Sequence, residues 1–256
     1  MVRFSVLSTA AILATALLGS QTANATPLHP LARAASCDPS VLSCTTAGKN
    51  AGACCSPTYG LVVLSLQWYK GLGPSDAFTV HGLWPDTCSG GQGPSNGCDA
   101  NRQYDDIDGL ISQYAPEISA DMDTYWSSYK GDNNAFHVHE WGKHGTCVTT
   151  LAPSCGYTKG KDVAAYFRSA LALRSKYNIY AALKSGGVVP GGSYASTKWV
   201  DAIKKVFAGY TPQLVCSNGE ISEVRLFFKV KGTSEYVPAA AVGKGSCGST
   251  IRYPYK

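Results

Sequence analysis

The chain has 256 residues, of which 45% are hydrophobic and 15% are charged, and its formal net charge is +5. Residues 1–35 contain two arginines and no acidic residue, so the remainder carries a net charge of only +3. This length is typical of one folded domain with a sizeable core. The charge is too small for a protein that neutralises many phosphates along a nucleic-acid duplex.

Residues 1–25 have the pattern of a secretory signal peptide. Arg3 is the only charge of a short n-region, residues 6–18 form an apolar h-region, and residues 23–25 form an Ala-Asn-Ala cleavage site. The apolar run is too short to span a bilayer comfortably, which disfavours a membrane anchor. We therefore expect a secreted, extracellular protein whose mature form has no membrane segment.

Residues 26–35 are either a short pro-segment or a frayed mature N-terminus, and the folded domain is expected over residues 36–256. Ten cysteines lie in this domain, and an even number in an exported chain indicates five disulfides rather than free thiols. No two of them have the C-x-x-C spacing that zinc sites use. The N-glycosylation sequon at Asn24 precedes the domain, so we expect no N-glycan on the mature chain.

The first predicted elements of the domain are strands. Residues 61–68 are rich in Val, Leu and Trp and predict a buried strand. Residues 78–81 predict a second, short strand that runs into a loop at Gly82. The Gly-, Pro- and Ser-rich residues 88–98 predict a long loop that disulfides close at its ends.

Helices are predicted for the middle of the domain. Residues 106–114 and 117–129 have helix-like spacing and are separated by Pro116. Residues 161–177 give the clearest helical pattern. Its members at 3.6-residue spacing are Val163, Phe167, Ala170, Leu171 and Arg174.

The last third mixes helix and strand. After a loop at 186–192, residues 196–207 predict a helix with Ser196 as N-cap. Its apolar face would comprise Trp199, Ile203, Val206 and Phe207. Residues 214–215 and 224–230 predict strands. Since no βαβ rhythm appears, we predict an α+β fold: a central, mostly antiparallel sheet with several flanking helices in a single disulfide-stabilised domain.

Four of the five histidines lie in two short stretches, residues 78–86 (FTVHGLWPD) and residues 136–147 (FHVHEWGKHGTC), and the fifth is His29. The pair His139-Glu140 begins like a zinc-protease helix. That motif needs its second histidine four residues after the first, where this chain has Lys143. A lysine opposes a metal ion directly, so we expect neither a metal nor another cofactor.

An acid–base site is the stronger interpretation. If the second stretch is helical, Glu140 and His144 share one face, as do His139 and Lys143. Cleavage of RNA by its own 2′-hydroxyl needs a base, an acid and cations that stabilise the phosphorane. Histidine can fill both proton-transfer roles because its pKa of about 6.5 lets either form be populated. His144 and His81 on opposite sides of a phosphate would meet this requirement without a metal.

The two stretches resemble the active-site signatures of the ribonuclease T2 family, FTVHGLWPD and HEWGKHGTC, in the same order. The resemblance covers residues 37–256 and includes the cysteine pattern, in which the adjacent Cys54 and Cys55 are similar to fungal members. It implies a monomeric, metal-independent endoribonuclease with single-stranded RNA as its substrate and low base specificity. The products would be 2′,3′-cyclic phosphates that open to 3′-phosphates.

The resemblance also implies roles for individual residues. His81 and His144 would be the catalytic histidines, Glu140 and Lys143 would stabilise the transition state, and His139 would help to bind phosphate. We favour His144 as the first base and His81 as the first acid, although the sequence leaves open which histidine starts as the base. The Glu140 carboxylate is expected to be ionised at an acidic pH optimum.

Base recognition would come from stacking on aromatic rings, which tolerates any sequence. The resemblance places one base at Trp84 and Asp86 and the other at Gln67 and Phe136. Packing in the core is the alternative role for Trp84, and a structural role is expected for His137. The resemblance implies the disulfides Cys37–Cys55, Cys44–Cys88, Cys54–Cys155, Cys98–Cys147 and Cys216–Cys247.

A catalytically inactive relative that keeps the fold for storage or recognition is the main alternative. It is disfavoured because His81, Glu140, Lys143 and His144 are all present, whereas an enzyme that has lost its activity usually loses one such residue. A histidine phosphatase is a third possibility. That class needs an R-H-G motif, and no arginine precedes a histidine in this chain.

Overall fold

A computed structural model describes Met1 and residues 37–256, and the latter form one compact unit. The predicted signal peptide, the possible pro-segment and His29 lie outside the described residues, so the expectations for them stay predictions. Within the described part, no helix is long and apolar enough to cross a membrane.

One sheet of seven strands organises residues 37–256. Its order is β2-β1-β5-β7-β3, and β4 and β6 also pair with β5. Every strand pair is antiparallel except the single parallel bridge between β5 and β7. The strands are β1 (Leu61–Gln67), β2 (Thr79–Asp86), β3 (Gly192–Ala195), β4 (Gln213–Ser217), β5 (Glu220–Lys231), β6 (Glu235–Ala239) and β7 (Thr250–Tyr253).

The helices flank this sheet, and α5 packs across β1 and β2. They are α1 (Thr46–Asn50), α2 (Ile107–Tyr114), α3 (Ser119–Tyr125), α4 (Asn133–Lys143), α5 (Lys161–Lys176), α6 (Ile179–Ser185) and α7 (Ser196–Val206). The core between sheet and helices buries the aromatic rings of Trp68, Trp126, Trp141 and Trp199. The predicted α+β fold with a mostly antiparallel central sheet is confirmed.

Alternation along β1 and β5 gives the sheet two different faces. Apolar side chains such as Leu64, Leu66 and Leu226 point into the main core. The residues between them point to the opposite face, where they form two cross-strand pairs. These pairs are Ser65 with Arg225 and Gln67 with Glu223. This part of the sheet therefore carries polar side chains on the face that turns away from the main core, and all of them except Arg225 are buried.

The second strand is longer than predicted. β2 continues through Gly82 to Asp86 because β1 supplies a partner for every residue from Gly82 onward, ending with Leu61 opposite Asp86. Pro85 is accommodated because β2 is an edge strand, where a missing N–H costs little. The predicted loop at Gly82 is therefore wrong.

Two predicted helices also differ at their ends. The helix predicted to reach residue 129 stops at Tyr125, because Trp126 leaves the helix to bury its ring in the core. The N-cap of α7 is Ala195, which makes no side-chain cap, so Ser196 is the first helical residue. Val206 is exposed, whereas the rest of the predicted apolar face is buried. Sequence patterns did not indicate the short elements α6, β3, β6 and β7.

Candidate active site

The two histidine-bearing stretches form neighbouring elements of the fold. β2 carries His81, and α4 carries His139, Glu140 and Lys143. His144 is the C-cap of α4 rather than a residue inside the helix, and its backbone N–H donates to the carbonyl oxygen of Glu140 at 3.0 Å. The second stretch is thus helical as far as Lys143 and turns there, which brings the His144 ring back over the edge of β2.

A β-bulge determines which way His81 points. The pairing register of β1 with β2 shifts between Ser65 and Leu66, which leaves His81 without a partner residue. In a regular strand, residues three positions apart point to opposite faces, but one extra residue shifts the alternation by one position. His81 and Trp84 therefore lie on the same face of the sheet, and their ring centroids are 5.0 Å apart.

Glu140 lies between these groups and is buried, with 1% of its side chain exposed. Its Oε2 accepts a hydrogen bond from Nε1 of Trp84 at 3.0 Å, and its Oε1 lies 3.9 Å from Nε2 of His81. Gly82 makes the space for this contact, because a Cβ at that position would lie 2.1 Å from Oε2 of Glu140. No side chain can replace the hydrogen of Gly82 without moving Glu140 or Trp84.

His144 also packs against Trp84. The two rings are nearly parallel, with centroids 5.4 Å apart and an interplanar angle of 28°. Burial and the positive charges of Lys143, His139 and His81 together lower the pKa of His144 to about 3, with burial as the largest cause. Burial and the charge of Lys143 also lower the pKa of the exposed His139. His144 is therefore neutral over most of the acidic pH range.

His81 has a carboxylate partner that the sequence motifs did not indicate. Its Nδ1 lies 2.6 Å from Oε1 of Glu223, a residue of β5. The other oxygen of Glu223 accepts two hydrogen bonds from Arg225, from Nε at 2.8 Å and from Nη2 at 2.6 Å. Arg225 also lies over the Trp84 ring, 5.2 Å from its centroid. The alternation of apolar and charged residues in β5 shows that Glu223 and Arg225 share a face, and this was the available signal.

These contacts give His81 the opposite charge state to His144. Burial alone would lower the pKa of His81, but the hydrogen bond to Glu223 and the negative charges of Glu140 and Glu223 outweigh it and raise the pKa. Burial would raise the pKa of Glu223, yet the hydrogen bond from His81 and the charges of His81 and Arg225 lower it to about 2. His81 is therefore an imidazolium, and Glu223 a carboxylate, in acidic solution.

Glu140 differs from its sequence-based expectation. Burial raises the pKa of its carboxyl group to about 7, against the opposing effects of His81 and of the hydrogen bond from Trp84. Glu140 of the free protein therefore holds a proton at acidic pH, and the expectation of an ionised carboxylate there is wrong. The physical reason is that almost no water reaches the carboxyl group.

Trp84 and Asp86, the two residues assigned to the first base, lie on one face of β2. Trp84 is half-buried and contacts His81, His144 and Arg225, so it belongs to the site and not to the main core. Asp86 is the last residue of the strand, and burial raises the pKa of its carboxyl group to about 6. At lower pH this group can donate as well as accept a hydrogen bond.

The two residues assigned to the second base differ in how far they are exposed to solvent. The Phe136 ring is half-buried and lies 5.9 Å from the His81 ring. Gln67 is only 3% exposed, and its amide nitrogen donates to the carbonyl oxygen of Val80 at 3.1 Å. Gln67 is therefore closed to solvent in this structure, and its assignment to a base site stays a prediction.

His137 is held inside the structure by two contacts. Its Nδ1 lies 2.5 Å from Oδ1 of Asp108, and its Nε2 lies 2.8 Å from the carbonyl oxygen of Trp126. Both ring nitrogens are therefore engaged between α2, α4 and the end of α3. Among residues 37–256, no three histidine, cysteine, aspartate or glutamate side chains are grouped as metal ligands would be.

Five disulfides tie the described residues together, and they are the pairs that the resemblance implies. Cys88 lies two residues after β2 and bonds to Cys44, whereas Cys147 follows α4 and bonds to Cys98. Each of the two stretches that carry the site is thus fixed at its C-terminal end.

Three comparisons place this site among known proteins. The model of the Ribonuclease T2 family matches residues 49–238. Ribonuclease Rh of Rhizopus niveus is 47% identical over 225 residues, which cover 87% of this chain and 94% of that protein. The crystal structure of Actibind, described as a T2 ribonuclease, superposes with a TM-score of 0.81 at 33% identity and covers 86% of this chain and 98% of its own.

A more distant structure, RNase NT in complex with 5′-AMP, is 27% identical with a TM-score of 0.59, and covers 77% of this chain and 98% of its own. The family match spans well over half of the sequence, and the fold, the two signatures and the disulfides agree with it. The chain therefore belongs to the ribonuclease T2 family of endoribonucleases.

Proposed function

We propose that this protein cleaves single-stranded RNA with low base specificity, first to 2′,3′-cyclic phosphates and then to 3′-phosphates, without a metal ion. The observation that carries the proposal is a pair of imidazoles that both contact Trp84 and have opposite charge states. His144 is neutral and His81 is protonated over the same acidic range. A reaction that needs one base and one acid at the same pH finds both here.

The charge states support one assignment of roles in the first step. The neutral His144 takes the proton of the ribose 2′-hydroxyl, which attacks the phosphorus atom, and the protonated His81 gives its proton to the departing 5′-oxygen. The roles reverse when water opens the cyclic phosphate. This assignment agrees with the direction favoured by the resemblance.

The remaining residues stabilise charge on the phosphate. Lys143 ends α4 beside His139 and His144, and its ammonium is the cation closest in sequence to both. Glu140 is neutral below a pH of about 7 and can donate a hydrogen bond to a phosphate oxygen. His139 is exposed on the same helix, where it can contact a phosphate without entering the core.

Base binding centres on Trp84 and Asp86. A base that stacks on the indole gains roughly 1–3 kcal/mol and competes with His144 for the ring face. Phe136 offers a second aromatic surface close to His81. RNase NT was crystallised with 5′-AMP, and a nucleotide is the corresponding ligand that we expect for this fold. Stacking tolerates every base, which supports low base specificity.

We expect that a mixed-sequence RNA is cut in the presence of excess EDTA and that the first products end in 2′,3′-cyclic phosphates. The cations of the mechanism are side chains, so a chelator removes nothing that the reaction needs. Mass spectrometry of early and late products checks both points. Activity that is lost on chelation and restored by zinc or magnesium would contradict the mechanism, and complete inactivity would favour a non-catalytic role.

A second expectation concerns pH. The base His144 must be neutral, which holds above its pKa of about 3. The acid His81 must be protonated, which holds below a pKa that lies above the ordinary 6.5. The profile of kcat/KM should therefore rise through the acid limb, stay high across weakly acidic pH and fall on the alkaline side. A sharp optimum above about pH 8 would exclude histidine as the acid.

Secretion is proposed for the same chain, with residues 1–25 as the signal peptide and residues 36–256 as the catalytic domain. Ten cysteines paired in five disulfides support an oxidising compartment. A monomeric state is proposed as well. The N-terminal sequence of the exported protein and its mass in solution test these proposals.

A further inference from the structure

We propose that Glu223 is the positioning residue of His81: held by Arg225, its carboxylate orients the imidazole so that Nε2 presents its proton to the leaving 5′-oxygen. This inference rests on the proposed function and deepens it, because it names a residue outside both signatures. Glu223 lies 142 positions from His81 in the sequence and reaches it only through the sheet.

The first argument is the direction of the hydrogen bond. Oε1 of Glu223 lies 2.6 Å from Nδ1 of His81, and a carboxylate can only accept, so Nδ1 carries a hydrogen. The other nitrogen, Nε2, points toward Glu140 at 3.9 Å and thus toward the site. The bond therefore selects the nitrogen that faces a substrate, in the way that a third group orients a catalytic histidine in other enzymes.

The second argument is that Glu223 is itself kept in place, by burial and by Arg225. Its side chain is only 6% exposed, so water does not compete for its oxygens. One oxygen is taken by His81, and the other receives both donors of the Arg225 fork at 2.6 and 2.8 Å. The two hydrogen bonds from Arg225 converge on this one oxygen, so they stabilise the negative charge and the position of the carboxylate. No rotation of Glu223 can release His81 without breaking the contact with Arg225.

The third argument is the charge balance around His81. The charged groups that face it are Glu140 from α4, and Glu223 and Arg225 from β5, with His139 and His144 further away on the α4 side. Glu140 is protonated in acidic solution and leaves Glu223 as the permanent anion. In acidic solution Glu223 is therefore the anion that stabilises the proton on His81, and Glu140 adds to this effect only when it ionises at higher pH.

The test replaces Glu223 by glutamine, which keeps the shape but removes the charge. The pKa of His81, measured by NMR on the ring of the free protein, is expected to fall by at least one unit. The alkaline limb of the kcat/KM profile should move to lower pH by the same amount, and kcat should fall by about 10²-fold. Glu223→Asp should restore part of the loss. If Glu223 only packed against His81, the substitution would change neither the pKa of His81 nor the alkaline limb of the kcat/KM profile.

Glu220→Gln is the matched control, since Glu220 begins the same strand and pairs with Arg252 at 3.4 Å on the surface. It should leave His81 and the rate unchanged. The wild-type protein provides a measurement that needs no variant: ¹⁵N shifts should show that neutral His81 keeps its hydrogen on Nδ1. A hydrogen on Nε2, or an unchanged His81 pKa in the Glu223→Gln protein, would overturn the inference. Failure of the proposed function is distinguishable, because then the wild-type protein itself would not cleave RNA, whereas the effect of Glu223→Gln on the pKa of His81 could still be measured by NMR.

Discussion

Replacing either catalytic histidine by alanine is expected to lower the rate of RNA cleavage by about 10³-fold. Each of the two chemical steps needs both a base and an acid, and His81 and His144 exchange these roles between the steps. Removing one histidine therefore slows both reaction steps, and the double variant should be scarcely slower than either single variant. Initial rates on a labelled oligonucleotide, under identical conditions for all three proteins, measure these effects.

The fold should survive these substitutions. The side chain of His81 is 34% exposed, and His144 is half-buried outside the main core, so neither change creates a large cavity. Circular dichroism and thermal unfolding serve as controls. His139→Ala provides a contrast, because an exposed phosphate contact should raise KM more than it lowers kcat. If His144→Ala kept more than a tenth of the wild-type rate, another group would have to be the base.

A single 2′-deoxy residue in an RNA oligonucleotide is expected to abolish cleavage at one bond only, the one on the 3′ side of that residue. The nucleophile belongs to the substrate, so its removal stops attack there while stacking on Trp84 is unaffected. Cleavage at all other bonds should continue, and DNA should not be cut. Gel electrophoresis of the fragments shows which bonds of the oligonucleotide were cleaved and which were not.

The same oligonucleotide with ribose throughout is the control for this experiment. Cutting at the deoxy position, efficient cleavage of DNA, or products that end in 5′-phosphates would show that an activated water is the nucleophile. The roles assigned to His81 and His144 would then be wrong, even if both residues proved essential. The alanine variants and the deoxy substrate therefore test different parts of the mechanism.

Much of this structure could be predicted from local sequence patterns. The two signatures are continuous stretches, so His81, Glu140, Lys143 and His144 could be found without knowing the fold. Helix α5 was predicted nearly to its ends because it is long and strongly periodic. Strands of four or five residues, such as β3 and β7, hold too few side chains for a period to be visible.

Other features depend on contacts that no local pattern contains. The partnership of His81 with Glu223 exists because β1 pairs with β2 on one side and with β5 on the other. The burial of Gln67 and the raised pKa of Glu140 follow from how tightly neighbouring elements exclude water, which depends on packing. The sequence motifs supply the residue types, whereas burial and contacts in the folded protein determine their protonation states.

The bulge at His81 has a consequence for protein design. His81 and Trp84 are three residues apart, and on an ideal strand that spacing would send one ring into the core and the other to the surface. Grafting the two side chains onto another antiparallel hairpin would therefore fail unless the extra residue were grafted with them. The transferable unit is a strand with one irregularity at a defined place, not a pair of amino acids.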